Sequence, residues 1–237
     1  MTSGILPANR MLPMHRSRRL PPWCLSIATA SLLAIAAPLF AAPETSGDPV
    51  DTGWILEHIA RPAPMRTAFV EVRDSKLLKA PLRISGEYSR PSGDTLVRQV
   101  RAPYAETTTI SSGNVTIARA GKSPRSFSLS RVPELAGLQA SFGALLSGDR
   151  ALLQQHYRVA SAGTRQHWTL TLTPKDAAFA AKVRDITLHG RGAELRCIET
   201  ASAGTGDVQR TLLAGAARDA SEAATGAALE ALCHGSR

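Results

Sequence analysis

The sequence predicts an α+β protein, mainly β, built on one large antiparallel sheet that curls and carries a few helices. Between residues 67 and 129, short runs of alternating apolar and polar residues follow one another, separated by turn residues. After residue 133 the apolar residues recur at helical spacing, and short strand patterns then resume. Strands joined by short turns favour an antiparallel meander, and sheets of many strands curl because strands twist.

The chain opens with a short helix and a long hairpin. Asp51 or Thr52 can cap a helix whose apolar residues fall on one face. Residues 67–73 alternate as a half-buried strand, residues 79–81 contain a proline that breaks the pattern, and residues 82–89 alternate as a second strand. These two strands are the pair to which the other strands are added.

Four more strand patterns follow the hairpin before the period changes. Each is short and ends at a proline, glycine or asparagine that favours a turn. We expect strands at 96–100, 105–110, 115–117 and 127–129.

A helical stripe follows the meander. Leu135, Leu138, Phe142 and Leu145 recur at helical spacing, and Pro133 suits a first helical turn. Small residues between them allow this helix to lie close to another surface. A helix against the concave face of a curled sheet can act as a lid over an apolar cavity. The alternative, which the sequence leaves open, is that this helix completes a filled core.

The second half repeats the alternation of strands and short helices. Asp149 can cap a short helix, Pro174 can open another, and the Ala-rich end is helical by composition. We expect strands at 157–159, 168–172, 186–188, 195–197 and 208–213, and a C-terminal helix at 216–232.

The N-terminal residues have the pattern of a cleaved secretory signal peptide. Arg16, Arg18 and Arg19 precede an uncharged apolar run, and small residues then lead to cleavage after Ala41. The competing interpretation is one membrane anchor, since the run is about long enough to cross a bilayer. We therefore expect a periplasmic protein with three regions. These are a signal peptide at 1–41, a main domain with the large sheet at 42–213 and an Ala-rich helical extension at 214–237.

The charge does not indicate a nucleic-acid-binding protein. Residues 1–42 carry four arginines and no acidic residue, so their removal lowers the formal net charge from +9 to +5. The remaining basic residues are spread along the strands, which is typical of a solvated surface.

No catalytic or metal-binding motif is recognisable in the sequence. The five histidines after residue 42 are scattered, and no cysteine pair has zinc-site spacing. Cys197 and Cys233 are the two cysteines left after cleavage, and an even pair in an oxidising compartment predicts a disulfide. We expect a binding protein without catalytic activity, cofactor or metal.

The expected binding surface combines one face of the early strands with the helical stripe. The strand residues are Val70, Val72, Leu82, Ile84 and Val100, and the lid residues are Leu135, Leu138, Phe142 and Leu145.

An ordered series of short motifs resembles the LolA-like family of periplasmic outer-membrane lipoprotein carriers. The motifs are F-x-E-x-R-x-S-K-x-L-x-x-P-L-x-x-S-G at residues 69–86, R-P at 90–91, P-Y-x-E-T at 103–107, L-L-S-G-D at 145–149, W-x-L-x-L-x-P-K at 168–175 and D-I-x-L at 185–188. The resemblance covers about residues 52–213 and is nearest to a divergent branch that accompanies polyene pigment biosynthesis.

This resemblance implies an incomplete β-barrel with a helical lid, of the LolA/LolB type, and an apolar cavity for acyl chains. It also implies that Arg90, in the R-P context, gates the lid. The implied partners are an inner-membrane release complex and an outer-membrane acceptor, and the implied cargo is a lipoprotein or another lipid-linked molecule. We expect the carrier to be a monomer. Three alternatives stay open: a carrier of a polyene or fatty acyl product, a small acyl hydrolase or thioesterase, and a structural protein with a filled core.

Overall fold

The computed structural model describes residues 49–73, 82–131, 143–220 and 225–235. All of them belong to one compact unit, Glu44–Arg237. The predicted signal peptide and the greater part of the predicted lid helix lie outside the described residues. No helix in the described part of the chain is long and apolar enough to span a bilayer.

Eleven strands form one antiparallel sheet. In spatial order the strands are β6-β5-β4-β3-β2-β1-β11-β10-β9-β8-β7, so the first and last elements of this order are edges and the sheet is not closed. The predicted fold class, an open curled sheet with a few helices, is confirmed. The strands are β1 (Met65–Arg73), β2 (Leu82–Ser92), β3 (Thr95–Ala102), β4 (Glu106–Ser111), β5 (Asn114–Arg119), β6 (Arg125–Ser128), β7 (Tyr157–Gly163), β8 (Trp168–Pro174), β9 (Val183–Arg191), β10 (Glu194–Ser202) and β11 (Val208–Leu213).

Two meanders meet at the centre of this sheet. Strands β1 to β6 pair in sequence order, and so do β7 to β11. The seam is the pairing of β1 with β11, in which Phe69 lies opposite Leu213 and Arg73 opposite Gln209. The hairpin that the sequence predicts at residues 67–89 is therefore central, with strands on both sides.

Six helices accompany the sheet within the described residues. Asp51 caps α1 by accepting hydrogen bonds from the backbone N–H groups of Gly53 and Trp54, at 2.7 and 3.1 Å. Asp149 caps α3 through the N–H of Leu152, as predicted. The helices are α1 (Thr52–Ile59), α2 (described at residues 143–147), α3 (Arg150–His156), α4 (Ala177–Ala180), α5 (Ala214–Asp219) and α6 (Gly226–His234), and a 3-10 turn spans Leu129–Arg131.

The two faces of the sheet are covered by different helices. On one face, here called the inner face, α1, α2 and α3 pack against β7–β10 around a core that includes Ile55, Leu145 and Leu170. On the opposite, outer face, α5 and α6 pack against β1, β10 and β11. A disulfide between Cys197 of β10 and Cys233 of α6 joins the outer helices to the sheet.

Two predicted helices differ from the structure. Pro174 ends β8 and does not open a helix, because Asp176 is the cap of α4 and accepts from the N–H of Phe179 at 2.8 Å. The single C-terminal helix expected at 216–232 is two helices, since the backbone is extended at Ala220 and Thr225 caps a new helix.

Candidate functional site

A cavity of about 510 Å³ lies on the inner face of the sheet. Its lining combines the end of α1 and the start of β1 with α2, α4 and the strands β9, β10 and β11. The described residues that line it are Ile59, Arg61, Met65, Arg66, Thr67, Tyr88, Leu96, Leu145, Leu146, Phe179, Val183, Ile186, Glu194, Leu195, Ile198, Thr200, Gln209, Thr211, Leu213 and Ala214.

Aliphatic side chains form most of the wall. Leu145 and Leu146 of α2 lie on one side, and Ile186, Leu195 and Ile198 of β9 and β10 lie on the sheet. Ile186 pairs with Thr200 across the β9–β10 ladder, and a register shift between Leu195 and Cys197 brings Leu195 to the same inner face as Ile198. The result is an apolar surface that water solvates poorly and that a hydrocarbon chain fits.

Polar groups at the cavity are already engaged with the protein. Glu194 accepts a hydrogen bond from the backbone N–H of Gly215 at 2.6 Å, at the start of α5. Arg66 is paired with Glu87 at 3.0 Å. These contacts satisfy the charged groups without a ligand, so the cavity offers mainly apolar contacts.

Arg61 connects three parts of the structure at the edge of the cavity. Its backbone N–H donates to the carbonyl of Leu146 in α2 at 3.1 Å. Its guanidinium donates to the carbonyls of His58 and Ala60 at the end of α1, both at 2.9 Å, and to that of Ala193 in the β9–β10 turn, at 2.7 Å. The planar guanidinium is suited to such multiple contacts.

Arg90 reaches the same point from β2. Its guanidinium donates to the carbonyl of Arg61 at 3.2 Å and to that of Gly93 at 3.1 and 2.7 Å. The described contact is thus to the segment between α1 and β1, which in turn holds α2 through Arg61. Arg90 is therefore linked to α2 indirectly, through Arg61.

Val70 and Val72 are not at the cavity. Both are 5% exposed and pack on the outer face against the helices α5 and α6 and the disulfide. This placement corrects the expectation for these two residues. The sequence prediction treated the C-terminal helix as an appendage, whereas its packing buries the outer face of β1.

Ile84 and Val100 lie on the inner face but form a packed cluster there. They are 1% and 2% exposed, in contact with Phe69 and Leu213, and Leu82 packs against the same cluster. They support the floor beside the cavity and do not line it.

The lid helix is described only at its C-terminal end. Leu145 is 7% exposed and lines the cavity with its neighbour Leu146. The other three predicted lid residues, Leu135, Leu138 and Phe142, lie outside the described residues.

An ionic cluster covers the inner face beyond the cavity, on β1 and β3–β5. Glu71 is 2% exposed and accepts from Arg98 at 2.9 Å and from Arg73. Glu106 is paired with Arg119 and lies 3.9 Å from Arg98. A buried carboxylate with guanidinium partners replaces apolar packing here, so the apolar surface stops at this cluster.

Tyr88 lies where the two surfaces meet. Its ring lines the cavity and packs against Phe69, with ring centroids 4.7 Å apart. Burial raises the pKa of Tyr88 above its ordinary value of 10.0, and the neighbouring Arg98 opposes the shift. The phenol therefore stays neutral at physiological pH and presents an uncharged surface to the cavity.

Sequence reasoning missed the lining residues on β9, β10 and β11. Leu195 lies in the strand that the sequence predicts at 195–197 and Ile198 directly follows it, but a register shift between residues 195 and 197 changes which residues face inward. The alternation extends to the other lining residues, such as Thr200 on β10 and Thr211 on β11. It identifies them from the sequence only if the position of the register shift is already known.

A family model described as outer membrane lipoprotein carrier protein LolA-like matches residues 42–236. The chain belongs to this LolA-like family. The family is one of carrier proteins by its description, and the inner-face cavity is the feature of this LolA-like chain that suits a carrier. No curated protein matches the sequence significantly.

Three solved structures are similar to this chain at low sequence identity. A LolA superfamily protein, NE2245 from Nitrosomonas europaea, is 12% identical over 70% of this chain and 92% of its own, with a TM-score of 0.40. A chain of the Pseudomonas aeruginosa MucA/MucB complex is 17% identical over 75% and 62%, with a TM-score of 0.37. LprF from Mycobacterium bovis is 15% identical over 71% and 94%, with a TM-score of 0.33.

Proposed function

We propose that this LolA-like chain is a periplasmic carrier that binds the acyl chains of an outer-membrane lipoprotein, or of a related lipid-linked molecule. The cargo would occupy the inner-face cavity and be released toward the outer membrane. The single observation that carries the proposal is the cavity of about 510 Å³ with a mainly aliphatic wall. Its volume is in the range of roughly 300–1,000 Å³ that small-molecule sites occupy.

The hydrophobic effect supplies the binding energy. Each buried methylene contributes roughly 0.8 kcal/mol, so about ten methylenes would contribute about 8 kcal/mol before the costs of ordering the chain. The charged groups at the cavity are bound to protein partners, so little of this energy is lost to desolvation of free charges.

The lid proposal is that α2 moves to admit and release the cargo, with Arg90 and Arg61 holding it closed. Arg61 binds Leu146 of α2 through its backbone, and Arg90 binds the carbonyl of Arg61. A few hydrogen bonds to carbonyl groups stabilise a closed state by a modest amount each. That is suitable for a lid that has to open when a partner binds.

Binding is favoured over hydrolysis by the composition of the wall. Among the described lining residues there is no histidine, cysteine or serine, and these are the side chains on which acyl hydrolysis most often depends. Cargo identity separates the lipoprotein carrier from the polyene or fatty acyl carrier, and the lipids that purify with the protein distinguish them.

The test is binding of an apolar fluorescent probe to delipidated protein, with a long-chain fatty acid as competitor. We expect saturable binding that Ile198→Asp abolishes, because a carboxylate would then project into the apolar wall. The matched control is Ile117→Asp, a partly buried isoleucine of β5 that does not line the cavity. Binding that survives Ile198→Asp in a folded protein, or no binding by the native chain, would contradict the proposal.

A further inference from the structure

Three histidines that are far apart in the sequence lie close together on the outer face of the sheet. His167, His189 and His234 line a second cavity of about 150 Å³ beside the disulfide. His189 lies on β9, His234 is the last residue of α6, and Glu199 of β10 lies between them. The register places His189 opposite Cys197, on the outer face, and Glu199 two residues further along β10.

The two imidazoles converge on one carboxylate. Nε2 of His189 lies 3.0 Å from Oε2 of Glu199, and Nε2 of His234 lies 3.2 Å from Oε1. The two rings are 4.7 Å apart between centroids. The potential ligand atoms of this group all lie within 4.8 Å of one another.

These distances are close to those of a metal site. A metal bound at about 2.0–2.1 Å from imidazole nitrogen and carboxylate oxygen in tetrahedral geometry places its ligand atoms roughly 3.3 Å apart. Two imidazole nitrogens and one carboxylate are a set that first-row divalent cations such as Zn²⁺ prefer. Cys233 belongs to the same group, but its sulfur is bonded to Cys197 and is not a free thiolate.

We propose that His189, Glu199 and His234 bind a divalent transition-metal ion, of which Zn²⁺ is the example used below. Since His189 and His234 also line the second cavity, water from this cavity would complete the coordination. This site is separate from the inner-face cavity and does not depend on the proposed carrier function.

In the metal-free cluster the carboxylate of Glu199 is hydrogen-bonded to both imidazoles. The carboxyl of Glu199 is ionised and accepts only, since its hydrogen bond from His189, helped by Arg210, lowers its pKa to about 2. Each Nε2 must then donate a proton to the carboxylate. A metal bound at the two Nε2 atoms would take the place of these two protons.

The groups around the cluster include both a route of access for a cation and an opposing positive charge. His189 and Glu199 are mostly buried, at 15% and 16% side-chain exposure, whereas His234 is 38% exposed and gives a cation a way in. Arg210 is the opposing group, because its Nε lies 2.6 Å from Oε1 of Glu199. Arg210 also lies 3.4 Å from Glu230 of α6, which neutralises part of its charge.

A bound ion would clamp α6 to the sheet. Its ligands come from β9, β10 and α6, and the adjacent disulfide already fixes the position of His234 relative to Cys197. A site whose ligands are held in place by neighbouring structure loses less entropy when it binds a metal. We therefore expect Zn²⁺ to raise the melting temperature of the folded chain.

The test is calorimetric titration of Zn²⁺ into the exported chain, purified without a histidine tag and freed of metal with a chelator that is then removed. We expect one ion per chain, and at least about tenfold weaker binding in each of His189→Ala, Glu199→Gln and His234→Ala, because changes even outside the ligand set cost about that much. His156→Ala is the matched control, since this histidine lies at the end of α3, away from the cluster.

One variant and one second cation make the zinc titration easier to interpret. His234→Ala is the variant least disruptive to the fold, because this residue ends α6 and is the most exposed of the three. Ca²⁺, which prefers oxygen ligands, should not bind. Failure of the native chain to bind Zn²⁺, or binding that His234→Ala and Glu199→Gln leave unchanged, would overturn the proposal.

Discussion

Reduction of the disulfide between Cys197 and Cys233 should destabilise the whole chain. The bond closes a segment of 36 residues between β10 and α6. In the chain-entropy treatment a cross-link of this span stabilises the folded state by about 4 kcal/mol, since it restricts the unfolded chain. That is a large share of the roughly 5–15 kcal/mol that stabilise a typical domain. For a domain of this size the melting temperature should fall by about 10 °C.

The assay is urea denaturation followed by circular dichroism, with and without dithiothreitol. Both sulfurs are buried, since Cys197 is 0% and Cys233 1% exposed, so substitution alone would also change the packing. The control is therefore the doubly substituted Cys197→Ala, Cys233→Ala chain, in which the reductant should have no effect. A loss on reduction below about 1 kcal/mol, or two reactive thiols in the unreduced denatured chain, would refute the reasoning.

Three further predictions follow from single residues. The stability of the native chain should fall as the pH rises through and above 10, because the pKa of Tyr88 is higher in the folded state than in the unfolded state. Tyr88→Phe should remove part of this loss. Denaturation at pH 9 to 11 measures the effect, and an unchanged pH dependence would contradict the prediction. Gly190→Ala should destabilise by about 1–3 kcal/mol, since a Cβ there would lie 1.9 Å from the indole of Trp168; unchanged thermal unfolding would count against this packing. Arg90→Leu should trap or lose cargo without unfolding the domain, because it removes the bond to Arg61; unchanged cargo transfer between vesicles would make Arg90 an ordinary strand-end charge.

The strand pattern was predictable because alternation is a local signal. The predicted strand at 208–213 coincides with β11, and the hairpin at 67–89 is β1 paired with β2. Turn residues supplied the breaks, as at the Ser112–Gly113 turn between β4 and β5, where both residues have positive φ. Such features need no knowledge of distant residues.

The face of each strand was less predictable, because it depends on what packs from elsewhere in the chain. Val70 and Val72 alternate as a half-buried strand does, but the helices α5 and α6, far away in sequence, determine that they face outward. From the sequence, Glu71, which lies between these two valines, is expected to be solvent-exposed. In the structure it is buried, because Arg73 and Arg98 neutralise its charge. The local sequence around a carboxylate in a strand does not show which cations on other strands will pair with it.

The histidine cluster is the plainest case of a site without a sequence signal. Metal motifs are recognised when ligands lie close together on one helix or loop. Here His189 and His234 are 45 positions apart, on a strand and a helix, and only the sheet register and the disulfide bring them to Glu199.

The most direct test of the carrier account is mass spectrometry of the lipids that remain bound to the exported chain, purified from the periplasm without detergent. The account predicts acyl-chain-bearing molecules at close to one per protein, with Ile198→Asp depleted of them and Ile117→Asp retaining them. Their head groups would show whether the cargo is a lipoprotein or another lipid-linked product. A folded chain that carries no such lipid, and takes none up from vesicles after delipidation, would contradict the central claim.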